Sequence, residues 1–348
     1  MAALMENFLN KSYDTTTLVF YNDTWVFRLK WKKININTFS KLNFPWIWYV
    51  APIPHIISTI KYIKKEKPDI VIAVWTYCNF LWLVAKKFLN FKLLLTQHEH
   101  ISSRKAKDFI LSSYNLIFYM IKKLIWNNKI VCVSEEVKKD VIKKYWIKEN
   151  QTITIYNWLD FNKIQYLSNE PITLKNKYII NIWSLDNNKN QEMLIKAYNK
   201  TKCKNEYKLV LIWKWPRRQH LEELTKELNL EDKIIFLWFQ ENPYNYLSKA
   251  SLFCFTSKSE SFWLVLVESL ILWVPVLTVP VSWCKEVLNN GECGYIVDNW
   301  DVDNYAKKID EVISKDNSYI IQKWISFSKN NFSIEKMMNG YLNVLNSL

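Results

Sequence analysis

LFCFTSKSESFWLVLVESLILWVPVLTVPVSW, residues 252–283, alternates apolar runs with one short polar loop. Leu252 to Thr256 reads as a buried strand and Ser257 to Ser261 as a loop. Phe262 to Leu272 is apolar almost all round and long enough for three helical turns. Val274 to Val279 reads as a second strand, with Pro275 at its start, where a missing N–H is tolerated. Strand, loop, helix and strand in this order predict a parallel α/β sheet. The junction of loop and helix presents unpaired backbone N–H groups and the positive helix end, which suits a phosphate.

Two acidic residues add chemistry. Glu260 closes the loop, and Glu268 sits inside the helix among Val265, Leu266, Val267, Leu270 and Ile271. A carboxylate in such company needs a hydrogen-bond partner, because bare burial is costly. Read without further context, the pair is a capping Glu and a helix Glu paired to a lysine. In context, SKSESFWLVLVESLILWVPV, residues 257–276, resembles the donor-site signature of the GT-B glycosyltransferases of family 4, S-x-x-E-G-F-G-L-V-x-x-E-A-x-x-x-G-x-P-V. The resemblance implies roles. Glu260 would touch the donor sugar, Phe262, Trp263 and Leu264 at the helix start would take the diphosphate, and Glu268 would hold the ribose hydroxyls.

Working outward, the same resemblance spans about residues 2–345. Residues 183–198, WSLDNNKNQEMLIKAY, are similar to the family's G-R-L-x-x-x-K-N-x-x-x-L-I-x-A. Lys189 matches the lysine that neutralises the diphosphate, while Ser184 stands where the family has Arg. Lys92 to Thr96 reads as a strand followed by QHEH, residues 97–100. Ligands of open α/β sheets bind at that end of a strand, and His98 there matches a histidine that faces the transferred sugar. A satisfied structural histidine is the plain alternative. A zinc site from His98 and His100 lacks a third ligand and suitable spacing. The run KIVCVSEEVKKD, residues 129–140, resembles the family's V-x-V-S-x-x-V-x-x-D, with Ser134 as helix cap.

The expected fold is α/β, GT-B, with two Rossmann-like domains facing a cleft. Residues 1–165 form the acceptor-side domain, with its first strand missing, and residues 175–330 bind the nucleotide sugar. Residues 331–348 form a helix that crosses back. Tyr166 to Leu174 is the expected linker. The chain opens inside what should be the first helix, so roughly 15–25 preceding residues are expected from the usual length of a strand and loop.

Composition restricts the function classes. No uncharged apolar run reaches 18 residues, so no membrane span is implied. The six Cys show no C-x2-C spacing and read as reduced thiols of a cytoplasmic protein; a Cys284–Cys293 pair is the alternative in an oxidising compartment. DVD, residues 301–303, imitates a metal motif but precedes a helix and reads as a cap. Residues 1–165 carry a net charge of +13 and residues 166–348 a net of +1. That asymmetry fits an anionic membrane surface, nucleic acid or a phosphorylated substrate, or a merely solvated lysine-rich face.

Glycine is the anomaly. The chain has 18 Trp and 3 Gly, against the roughly 24 Gly that ordinary usage of about 7% predicts. Trp158, Trp183, Trp213, Trp215, Trp238, Trp263, Trp273 and Trp283 all stand where the family pattern writes Gly. Those are turns, helix ends and close backbone approaches, where a missing Cβ is the requirement. Some bacterial lineages read UGA as glycine and other codes read it as tryptophan. Translation with the wrong table is the expected cause, and Trp263 as written would fill the phosphate space.

The function implied is transfer of a sugar from a nucleotide sugar, a UDP-sugar, to a glycan or lipid-linked acceptor, with anomeric retention. No cofactor and no metal are implied, the nucleotide sugar being substrate, and peripheral contact with an anionic membrane is expected. The alternatives are a GT-B sugar-nucleotide epimerase and a non-enzymatic nucleic-acid-binding protein. No nucleic-acid motif accompanies the charge, so nucleic acid is not an expected partner.

Overall fold

The computed structural model describes residues 17–19, 33–35 and 52–348, without 103–115, 118, 126, 183–188, 213–217 and 259–263. The chain divides into two compact units, residues 1–157 with 337–348, and residues 158–336.

In the first unit, β1 (Thr17–Val19) and β2 (Lys33–Asn35) form a short parallel pair. A separate four-stranded parallel sheet runs in the order β3 (Ile70–Val74), β4 (Lys92–Gln97), β5 (Lys129–Cys132) and β6 (Thr152–Thr154). The middle strands are nearly continuous apolar runs, as a sheet covered on both faces requires; Leu93, Leu94, Leu95, Ile130, Val131 and Cys132 are all buried. Helices α1 (Pro52–Glu66), α2 (Thr76–Lys86) and α3 (Glu135–Tyr145) belong to this unit. Ser134 caps α3, its hydroxyl accepting the N–H of Val137 at 3.1 Å.

The second unit holds a six-stranded parallel sheet. Its strands are β7 (Tyr178–Ile182), β8 (Lys208–Ile212), β9 (Ile234–Leu237), β10 (Leu252–Phe255), β11 (Val276–Thr278) and β12 (Tyr295–Ile296). They lie side by side in the order β12-β11-β10-β7-β8-β9. The chain thus builds outward from β7 in one direction, then returns to β7 and builds in the other. This is the 3-2-1-4-5-6 order of dinucleotide-binding sheets, and its switch point lies between β7 and β10. The helices are α4 (Phe161–Ser168), α5 (Gln191–Lys200), α6 (Arg218–Glu227), α7 (Tyr244–Leu247), α8 (Leu264–Ile271), α9 (Ser282–Val287), α10 (Val302–Ser314) and α11 (Ser318–Phe332). A final helix, α12 (Ile334–Asn346), brings residues from Met337 onward into the first unit.

The expected linker is corrected in part. Tyr166 to Ser168 are the last turn of α4, not a connection. Asp160 sets that helix by accepting the N–H of Lys163 at 3.0 Å, a cap the sequence reading passed over. Asp301 behaves as a cap too, accepting the N–H of Asn304 at 2.8 Å. The six cysteines are free, Cys284 and Cys293 included. No group among the described residues could hold a metal ion, and no described helix is long and apolar enough to cross a membrane.

Backbone geometry bears on the tryptophans. Trp75, Trp146 and Trp273 have positive φ, at 78°, 55° and 66°. At the end of α8, Trp273 N–H bonds Leu270 O and Val274 N–H bonds Ser269 O. These are the two bonds of a Schellman motif, whose left-handed residue is usually Gly. Trp146 closes α3 in the left-handed region, its N–H bonding Ile142 O. Trp75 (φ 78°, ψ 152°) lies near a region that is essentially Gly-only. Of the eight positions the sequence singles out, Trp273 therefore shows the conformation glycine serves. Trp158, Trp238 and Trp283 are not among the left-handed residues, and Trp183, Trp213, Trp215 and Trp263 fall outside the described ones. Trp75 and Trp146 are two positions the sequence reading did not flag.

Candidate active site

In the second unit the two strands flanking the switch point lead to the residues of interest. Past β7, Lys189 is buried, and its carbonyl accepts the Thr256 hydroxyl at 2.9 Å. Thr256 directly follows β10, so this bond ties the loop after β7 to the strand beside it. Asn181 in β7 adds a second tie, donating to Cys254 O of β10 at 2.7 Å. Both groups are buried side chains satisfied by neighbouring backbone, as burial demands.

Leu264 opens α8, and Glu268 comes one turn later. The helix is buried at Val265, Leu266, Val267, Leu270 and Ile271, and Glu268 itself is half-buried among them. Burial pushes its pKa up to about 7, and a hydrogen bond from Tyr244 holds it from rising further. The phenol oxygen of Tyr244 is 3.2 Å from Glu268 Oε1. The hydrogen-bond partner that the sequence requires is this tyrosine, and the lysine of the plain alternative is not found, since no Lys shares a described ion pair with Glu268. Glu260, Phe262, Trp263 and Ser184 lie outside the described residues.

In the first unit, His98 follows β4. Its Nε2 is 3.1 Å from Thr96 Oγ1, and that hydroxyl donates its proton to Ala73 O at 3.0 Å. A hydroxyl has one proton, so the imidazole must donate from Nε2, leaving Nδ1 as acceptor. Burial lowers the His98 pKa to about 4, so the ring is neutral at physiological pH. Although part of the ring surface stays open, Trp75 covers one face, with ring centroids 5.4 Å apart.

The segment after β4 is fixed at two further points. Gln97 donates to Glu99 O at 2.8 Å. Asp140 on α3 accepts the N–H groups of Ile101 (2.6 Å) and Ser102 (3.1 Å) through Oδ2, and the Ser102 hydroxyl through Oδ1. Asp140 is the last residue of the V-S-x-x-V-x-x-D pattern, to which sequence alone attached no role. Its partners lie 38 and 39 residues earlier, so no local spacing reveals them.

Comparisons with known proteins meet this geometry. The family model "Glycosyltransferase Family 4" matches residues 16–163, and "Glycosyl transferases group 1" matches residues 162–323. The chain belongs to the group 1, family 4 glycosyltransferases. One relative is the N-acetylgalactosamine-N,N'-diacetylbacillosaminyl-diphospho-undecaprenol 4-alpha-N-acetylgalactosaminyltransferase of Campylobacter jejuni, 36% identical over 48% of this chain. That match spans 44% of the relative's length. The O-antigen chain mannosyltransferase RfbU of Salmonella typhimurium is 25% identical over 74% of each chain. Among solved structures, Anabaena HepE in complex with UDP superposes with a TM-score of 0.74, at 16% identity, over 91% of this chain and 86% of its own. A Rickettsia africae glycosyltransferase superposes at 0.70, with 21% identity, over 90% and 83%. These superpositions show the GT-B fold. The relatives named here are transferases, which does not favour the epimerase alternative.

Proposed function

We propose that this glycosyltransferase moves a sugar from a UDP-sugar to a glycan or lipid-linked acceptor, with retention and without a metal ion. The observation that carries the donor half is the convergence on one switch point of the loop bearing Lys189 and the helix bearing Glu268. Ligands of such sheets bind in the crevice at that point. Lys189 and the start of α8 would stabilise the leaving diphosphate, whose charge grows in the transition state. Glu268, as carboxylate, would accept the ribose hydroxyls. Glu260 and the neutral His98, accepting through Nδ1, would orient the sugar. UDP in the HepE structure supports the choice of nucleotide, and the undecaprenol-linked substrate in the Campylobacter relative's name supports a lipid-linked acceptor.

The test is release of UDP from a panel of UDP-sugars, with and without lipid-linked glycan acceptors, by the full chain with glycine at the eight Trp positions. Acceptor-dependent UDP release is the expected result. Release without acceptor, or no UDP binding at all, overturns the reading. The net +13 of residues 1–165 supports an enzyme peripheral to the inner face of the cell membrane. It should sediment with vesicles of anionic lipid at low salt and leave them at high salt. Equal binding to neutral vesicles would refute that placement.

A further inference from the structure

We propose that Tyr244 is a positioning residue for the donor, its phenol fixing one oxygen of Glu268 so that the other is left for the nucleotide. The proposal rests on the reading of Glu268 as the ribose-binding group.

The geometry has three parts. First, the Tyr244 hydroxyl donates to Oε1 alone, so Oε2 has no described protein partner. A carboxylate offers about four lone-pair sites, and an incompletely satisfied one in an apolar helix favours any ligand that brings donors. Second, Tyr244 is itself held. Its N–H bonds the Asn242 side chain at 3.1 Å, and that amide bonds Leu167 O and Glu170 Oε2, each at 2.8 Å. The chain entering α7 is thereby pinned to the end of α4, and the phenol is set by backbone, not by a mobile side-chain stem. Third, burial and the adjacent Glu268 raise the phenol's own pKa, so it remains a donor across the working range.

Besides α7, which carries Tyr244 and the half-buried Tyr246, the elements packed most closely on α8 are α4, α11 and β11. Their titratable groups are Lys163 and Tyr166 on α4 and Tyr319, Lys323 and Lys329 on α11, all exposed, while β11 has none. Among the described residues, burial and Tyr244 are what shift Glu268. Glu260 falls outside the described residues. Hydrogen bonding to the charged form favours it, so loss of the phenol must raise the Glu268 pKa above its present value. Donor affinity needs the carboxylate, so its acid limb must then move to higher pH.

The experiment is UDP binding by calorimetry between pH 6 and pH 9, in the full chain with glycine at the eight Trp positions. Four proteins are compared: the parent, Tyr244→Phe, Glu268→Gln, and a chain with 3-fluorotyrosine at position 244 alone. Tyr244→Phe should bind about fivefold more weakly at pH 7, the loss closing by pH 9, as a rise of about one pKa unit requires. The fluorinated phenol is a stronger donor of the same shape and should move the acid limb down, which keeps the test open if Tyr244→Phe folds poorly. A weakened Glu268→Gln with an unmoved acid limb in both Tyr244 variants overturns the positioning role alone. Tighter binding by Tyr244→Phe also overturns it, making the phenol a competitor of the nucleotide. Unchanged binding by Glu268→Gln overturns the donor reading beneath it.

Discussion

The first unit presents a neutral histidine, and the second a carboxylate poised near neutrality. His98 lies in a closed relay of matched groups, imidazole to Thr96 to Ala73 carbonyl, with nothing charged in it. Glu268 has one described hydrogen bond and an apolar helix around it. Burial acts on both in the same sense, disfavouring the charged form, but the consequences differ. For His98 the neutral form is the one the proposed contact to the sugar would use, so burial and the proposed role agree. For Glu268 burial opposes the charge that the proposed ribose contact needs; Tyr244 relieves part of that conflict, and on the proposed reading the ligand would relieve the rest. Such local conflicts are expected at functional sites.

The contrast can be broken most sharply at the second unit. Glu268→Ala should weaken UDP binding by about 10-fold to 100-fold, since a hydrogen bond to a charged group contributes about 1.5–3 kcal/mol. Lys189→Ala should lower turnover as well as affinity if, as proposed, it acts on the leaving group. A Lys189 variant changed only in KM for the donor would remove the leaving-group role. In the first unit, Asp140→Ala should lower turnover by roughly tenfold with the donor KM unchanged, because it frees two backbone N–H groups behind His98. An Asp140 variant with full turnover would show that its clamp serves stability alone.

The pH dependence separates the two groups next. A carboxyl whose folded pKa is raised from 4.5 to about 7 costs stability as pH climbs through that window, because the unfolded chain gives up the proton first. Glu268→Gln should therefore stabilise the ligand-free protein at pH 8 by roughly 1–2 kcal/mol and leave it nearly unchanged at pH 4. On the proposed reading the same substitution should weaken UDP binding, so stability and affinity should move in opposite directions. If urea midpoints at pH 8 do not rise, the carboxyl is better solvated than the apolar helix implies.

The smallest effects belong to the tryptophans. Trp273 is exposed, so Trp273→Gly loses little burial and relieves the left-handed strain, for a gain of about 1 kcal/mol. Trp75→Gly should also uncover His98 and move its pKa from about 4 back towards 6.5, which a histidine NMR titration would read. A lower midpoint for Trp273→Gly would count against glycine there. The codons decide it independently: UGG at these positions excludes the recoding, and UGA supports it.

How much was legible in the sequence differs between the units. The strand–loop–helix–strand run of 252–283, the lysine motif and the family resemblance are local patterns. Apolar periodicity and motif spacing report them directly. The partners of the candidate groups are not local. Tyr244 lies 24 residues before Glu268, and Asp140 lies 38 residues beyond Ser102. Only the parallel sheets bring those pairs together.

The sequence by itself thus determined the α/β class, the family and the candidates Lys189, His98, Glu260 and Glu268, because each sits in a contiguous motif whose residue types carry their own chemistry. The tertiary structure alone decided that the order of the six parallel strands reverses between β7 and β10. It also decided that a tyrosine, not a lysine, meets Glu268. It alone showed positive φ at Trp75 and Trp146. The physical reason is common to the first two: strand order and hydrogen-bond partner are set by groups distant in the chain and near in space, whereas the left-handed Trp146 follows from how its own helix closes on Ile142 O.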